Sequence, residues 1–281
     1  MRRTEFIEAC KSYAEEKYGK VRVSEIIKGN GSYTGLSVVY KPGVPAPVVN
    51  LDDLYARDLS IEKCYEVVDK ILNMTPPDMD DYLDMVKDWN RAKDRLFLRT
   101  FGENFNRKST YEQVEDLFLT PYVQLDDEGT MVVQVTDGLI SLWSVDSETV
   151  FEKARENQTA INPFKIRTLF ETLGLEALGL PAMPGLPDVL VISTQNGQFG
   201  ATAVFYPEIM NEVRDRIGED FYLIPSSIHE FLAVPRTLSA TPEDVAEMVA
   251  NVNASDVAER DRLSNSVYTY NFNDSTIERV A

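Results

Sequence analysis

The chain has 281 residues, with 28 Lys plus Arg against 46 Asp plus Glu and a formal net charge of −18. Hydrophobic residues at 43% and aromatics at 10% describe a folded protein, not a disordered or fibrous one, and the charge argues against a nucleic-acid binder that works by neutralising phosphates. A single histidine, His229, and two distant cysteines, Cys10 and Cys64, exclude zinc fingers, zincin helices and two-histidine iron sites.

No apolar run approaches a bilayer span, and the first ten residues lack the apolar stretch of a signal peptide. The expectation is a cytoplasmic protein with no membrane contact and with both cysteines reduced and buried.

In chain order, residues 4–18 place Phe6, Ile7, Cys10, Tyr13, Ala14 and Tyr18 near helical spacing. Two β-like runs follow, 21–28 and 33–40, separated by Gly29-Asn30-Gly31, and Asn-Gly between such runs is a strong hairpin signal. Pro42, Pro45 and Pro47 break the chain before a short third strand at 48–51. Ser60 caps a helix over 61–73, which Pro76 and Pro77 end. Residues 78–98 read as a helix, acidic first and basic later, as on a solvated face with i,i+4 pairs. From 109 to 148 there are nine acids and no Lys or Arg. Inside that stretch 116–125 and 131–135 read as paired strands around Asp126-Asp127-Glu128-Gly129, and 139–143 as a strand or short helix. Ser144 or Asp146 caps a helix over 147–157.

Glycines and prolines between 174 and 188 mark a loop or linker. A strand at 188–194 follows, and Gln195-Asn196-Gly197-Gln198 turns it into 199–205 as a second hairpin. Then come a helix at 208–217, a strand at 221–224, a tight connection over 225–229 and a strand at 230–234. Thr241-Pro242-Glu243-Asp244 opens a helix with Pro at its first position, and 267–270 is a last strand. This order predicts an α+β fold with mixed or antiparallel sheets, hairpins and packed helices. Two lobes are expected, 1–108 and 109–281, with 174–188 as the other position for the boundary.

Several segments together carry a resemblance. Trp143-Ser144-Val145-Asp146 precedes a helix containing Ala154-Arg155-Glu156-Asn157. Residues 191–201, 221–235 and 263–270 read Val-Ile-Ser-Thr-Gln-Asn-Gly-Gln-Phe-Gly-Ala, Phe-Tyr-Leu-Ile-Pro-Ser-Ser-Ile-His-Glu-Phe-Leu-Ala-Val-Pro and Leu-Ser-Asn-Ser-Val-Tyr-Thr-Tyr. These resemble a bacterial domain-of-unknown-function family of gut Firmicutes, often carried near mobile elements. The resemblance is best from about 115 onward and most specific at the Leu/Ile-Pro-Ser-Ser-Ile-His-Glu block; the N-terminal third agrees in layout only. It implies a bacterial context and brings no activity with it.

Ser226, Ser227, His229 and Glu230 are the one constellation of catalytic residue types. In the functional reading His229 is a general acid-base, with Ser227 and Glu230 beside it. On a strand Ser227 and His229 would share a face and Glu230 would point away, which does not make a triad, and no Gly-x-Ser-x-Gly elbow is present. In the structural reading the serines turn or cap the chain and His229 bonds nearby backbone. Asn196 and Asn265 are binding candidates from the other matching segments. Residues 29–35 are glycine-rich but lack the lysine of a P-loop, and 126–129 lack a calcium-loop pattern, so no cofactor and no metal are expected.

The expected function is a non-enzymatic interaction or accessory protein linked to mobile elements, with a protein partner and no direct nucleic-acid contact. One alternative is a hydrolase or transferase using His229 as general acid-base. The other is an acidic nucleic-acid mimic, which would require the acids of 51–90 and 109–148 to fold into one row despite the basic stretch 91–108.

Overall fold

Phe6, Cys10 and Ala14 recur every four residues and are buried along one side of the first helix, α1 (Arg3–Tyr18). The computed structural model describes residues 1–27, 31–39, 46–73, 80–107, 109–126, 129, 131–174, 188–238 and 241–281. It divides into two units, Met1–Met85 and Val86–Ala281. The fold is α+β, and among the described residues the strands form three antiparallel sheets.

In the first unit β1 (Val21–Ile27) and β2 (Ser32–Val38) pair from Val21↔Val38 to Ile27↔Ser32, and β3 (Val48–Asn50) joins β2. Of the Gly-Asn-Gly turn only Gly31 is described, at φ 101°, where a side chain would be strained. The Asn50 side chain accepts from the N–H groups of Asp52 and Asp53 and so caps α2 (Leu51–Ala56). Ser60 caps α3 (Ile61–Leu72), which buries Cys64, Val68 and Leu72 against the apolar side of α1 and the sheet residues Leu36 and Val49. Both cysteines are free and buried. Above this core Tyr13 and Tyr65 stack at 4.1 Å. Asp69 accepts the hydroxyls of Tyr13 at 2.8 Å and Tyr18 at 2.7 Å and pairs with Lys17. Next comes α4 (Asp80–Lys87), in which the division between the units falls.

The second unit begins with α5 (Trp89–Ala92), β4 (Leu96–Phe101), β5 (Glu112–Val114), β6 (Leu117–Gln124) and β7 (Val132–Gln134). β4, β5 and β7 all pair with β6, and the β4–β6 ladder, Leu96↔Val123 to Phe101↔Phe118, joins residues on both sides of position 108. The helices α6 (Asp137–Trp143) and α7 (Ser147–Ile161) follow, capped by Thr136 and Asp146. The remaining elements are β8 (Phe164–Thr168), α8 (Leu169–Thr172), β9 (Leu190–Thr194), a 3-10 turn at Gly200–Phe205, α9 (Pro207–Ile217), β10 (Phe221–Ser227), β11 (Glu230–Pro235), α10 (Pro242–Ser255), β12 (Tyr268–Asn271) and β13 (Thr276–Arg279). Their sheet runs β13-β12-β10-β11-β9-β8, so the β10–β11 hairpin lies at its centre. No helix among the described residues is long and apolar enough to cross a membrane.

The structure adds β5, β8 and, beyond the expected last strand at 267–270, β13, and two expected elements differ in kind. The helix expected over 78–98 stops at Lys87, Asp88 caps the short α5, and Leu96–Phe101 is a strand. Its pairing with β6 buries Leu96, Phe97, Leu98 and Phe101, and this outweighs the charge pattern that suggested a helix. Residues 200–205 form a 3-10 turn where the second strand of a hairpin was expected. Both sides of β9 are already occupied, by β8 and β11, so no ladder remains for that segment. The expected linker lies mostly in 175–187, outside the described residues.

Candidate functional site

Ile228 and His229 are the two residues between β10 and β11, and a bulge between Pro225 and Ser227 precedes them. Ile228 is buried and anchors the turn in the core, while His229 stays partly exposed. Its backbone N–H donates to Ser227 Oγ at 3.1 Å. Its carbonyl accepts from the Gly200 N–H at 3.0 Å and from Ser193 Oγ at 2.8 Å. Its ring Nδ1 accepts from the Phe199 N–H at 3.1 Å, which assigns the remaining ring proton of the neutral imidazole to Nε2, 3.7 Å from Asp261 Oδ1. Asp261 also accepts the Ile228 N–H through its own carbonyl at 2.8 Å.

Only glycine fits at position 200. A Cβ there would lie 2.4 Å from Ser193 Cα and 2.7 Å from the His229 carbonyl. The preceding residue, Phe199, lies in the left-handed region at φ 56°, sparsely populated for a bulky side chain. The imidazole thus accepts the backbone N–H of this left-handed residue.

Ser226 Oγ donates to Glu230 Oε1 at 3.1 Å across the hairpin mouth, so Ser226, Ser227, His229 and Glu230 do share one turn. Ser227 bonds the backbone of His229 rather than its ring. Asn196 Oδ1 accepts from the Gln198 N–H at 3.0 Å, an Asx turn that shapes the loop leading to Phe199. Asn265 accepts from Asn253 Nδ2 at 2.7 Å on α10 and, among the described residues, makes no bond to the hairpin tip. Nearby in sequence, Ser264, Ser266 and Tyr268 donate their hydroxyls to the Asp116 carboxylate at 2.6, 3.1 and 2.6 Å. Burial, with that carboxylate against its hydroxyl, pushes the Tyr268 phenol upward. No group of three or more His, Cys, Asp or Glu among the described residues is arranged to hold a metal ion.

Sequence reasoning missed Arg99. It lies on β4 within Leu96-Phe97-Leu98-Arg99-Thr100-Phe101, and an arginine inside such an apolar run is the signal that could have marked it. Its guanidinium lies 3.6 Å from the centroid of the Phe199 ring, 4.7 Å from Tyr122 and 5.3 Å from Phe97. The His229 ring meets Phe199 edge-on at 5.3 Å, so a stack runs from His229 through Phe199 to Arg99. Among the described residues no carboxylate pairs with Arg99, and its buried Nε meets no acceptor. Burial pushes its guanidinium down to about 10, still cationic at neutral pH, and pushes the Tyr122 phenol up to about 12. Each ring contact returns about 0.5–2 kcal/mol. Withdrawing an ion from water costs several kcal/mol, so the rings offset that cost without supplying a counter-charge.

A model of the Family of unknown function (DUF5688) matches residues 3–271. No curated protein and no solved structure matches the chain.

Proposed function

The chain belongs to this family of unknown function, and we propose that it is a non-enzymatic interaction protein that works through a protein partner. The observation that carries this reading is what the hairpin-tip side chains bond to. His229 Nδ1, Ser227 Oγ and Ser193 Oγ all bond main-chain atoms, and Ser226 bonds Glu230. A nucleophilic serine needs its hydroxyl on a ring nitrogen of the base. Here Ser227 takes the backbone N–H of His229, and Nε2 faces a carboxylate. His229 is thus a clamp between two chain segments. The accessory role and the mobile-element setting rest on the sequence resemblance.

Two substitutions test the reading. His229→Asn keeps an acceptor near the position of Nδ1 without acid-base chemistry, whereas His229→Ala removes both. The Asn variant is expected to unfold within about 1 kcal/mol of wild type and to capture the same partner from the native lysate. The Ala variant loses about 1–3 kcal/mol, because the Phe199 N–H is left unmatched. A turnover present in the wild type and lost in a folded Asn variant overturns the proposal in favour of a hydrolase or transferase. Partner binding that weakens steeply with salt favours acidic mimicry instead.

A further inference from the structure

We infer that Arg99 anchors a binding site for an oxyanion, the carboxylate or phosphate group of a small ligand. The inference shares with the reading of His229 as a clamp only the placement of Phe199. It starts from a mismatch: acids outnumber bases 46 to 28 in this chain, yet among the described residues none pairs with this buried-strand arginine. The missing counter-charge is therefore not a matter of composition.

Nε is shut off from solvent, so the two terminal nitrogens of the guanidinium are the donors left for a ligand. Phe199, Tyr122 and Phe97 all approach it through their rings, and aromatic faces take none of its N–H bonds. Those two nitrogens present a planar edge that matches a carboxylate or phosphate in bidentate fashion. Arg99 is only partly buried, so a ligand reaches it from solvent, while its position in the middle of the β4–β6 ladder keeps it rigid. The ring closest to it belongs to Phe199, whose backbone is held in the left-handed region by His229 and Gly200. A strained residue fixed from two sides against an unpaired cation is the kind of feature that accompanies a ligand clamp.

The test is thermal unfolding of the full chain in chloride, acetate and phosphate at equal ionic strength. Both tryptophans, Trp89 and Trp143, lie in the unit that contains Arg99, so their fluorescence reports the relevant transition. Acetate or phosphate is expected to raise the wild-type midpoint by about 2–4 °C over chloride. Arg99→Met should lose that rise and Arg99→Lys should keep part of it. A rise with acetate assigns a carboxylate ligand, and a rise with phosphate alone assigns a phosphate. An equal rise in wild type and Arg99→Met is general salt exclusion and overturns the inference. Should Arg99→Met not fold, calorimetric titration of the wild type with the same anions decides: a saturable single site supports the inference, and no saturable heat overturns it.

Discussion

Three hydroxyls converge on Asp116 from residues about 150 positions away in sequence. Tyr268 is fully buried, so removing its acceptor strands a phenol in the core. Asp116→Ala is expected to cost at least ~2 kcal/mol in urea unfolding, while Asp116→Asn, which keeps one acceptor oxygen, loses roughly half as much. Equal losses in the two variants would show that the clasp acts through packing instead. The 263–270 block, noticed in the sequence as a matching segment, thus has a structural account in Asp116, which sequence reading did not connect to it. The same limit applies at the hairpin tip. Ser226, Ser227, His229 and Glu230 were legible because they are contiguous. Asp261, Gly200 and Arg99 were not, because their roles depend on contacts made across about 30 to 100 residues of chain. Arg99 was further hidden by reading its segment as a helix.

Local signals were most reliable where one residue type has one physical use. Thr241 shows this: its hydroxyl accepts the Asp244 N–H at 3.3 Å, and the Asp244 carboxylate accepts from the Thr241 N–H at 3.3 Å, closing a capping box ahead of Pro242. The helix it starts, α10, buries Val245 and Val249 with Ile224 of β10 and Val267. Thr241→Ala is expected to destabilise the second unit by about 1 kcal/mol, and Thr241→Ser to leave it near wild type, by urea unfolding. The β1–β2 hairpin, the Ser60 cap and the pairing of β6 with β7 were legible for the same reason. Elements whose state depends on a neighbour were not. Nothing local distinguishes 200–205 from a strand; only the prior pairing of β9 on both sides does. Nor does β8 announce itself, since its five residues gain their ladder from β9, which begins only at Leu190.

The two units carry separate cores, one drawn from 6–72 and the other from 97–277. In the first, Asp69 and Asp52 are two of the acid-sensitive groups. Burial tends to raise both carboxyls, but Lys17, Tyr18 and Tyr13 outweigh it at Asp69, and the Thr34 N–H and Arg3 outweigh it at Asp52, so both lie below their ordinary value. A depressed carboxylate contributes stability that is complete above the unfolded value of about 3.9 and is lost as pH falls through the folded value. In urea at pH 3 the first unit should therefore unfold earlier than at pH 7, and Asp69→Asn should remove part of that difference. Circular dichroism reads both units and tryptophan fluorescence only the second, so the early phase should appear in the former alone; coincident traces at both pH values would rule out independent cores. The six-stranded sheet has one more property of practical weight. It carries a single lysine, the exposed Lys165 on its border strand β8, and the 116 residues beyond contain none. An amine-reactive reagent can thus mark that sheet at one place only. The rate at which Lys165 is modified becomes a gauge of whether anything, a second copy or another chain, has come to rest along that border.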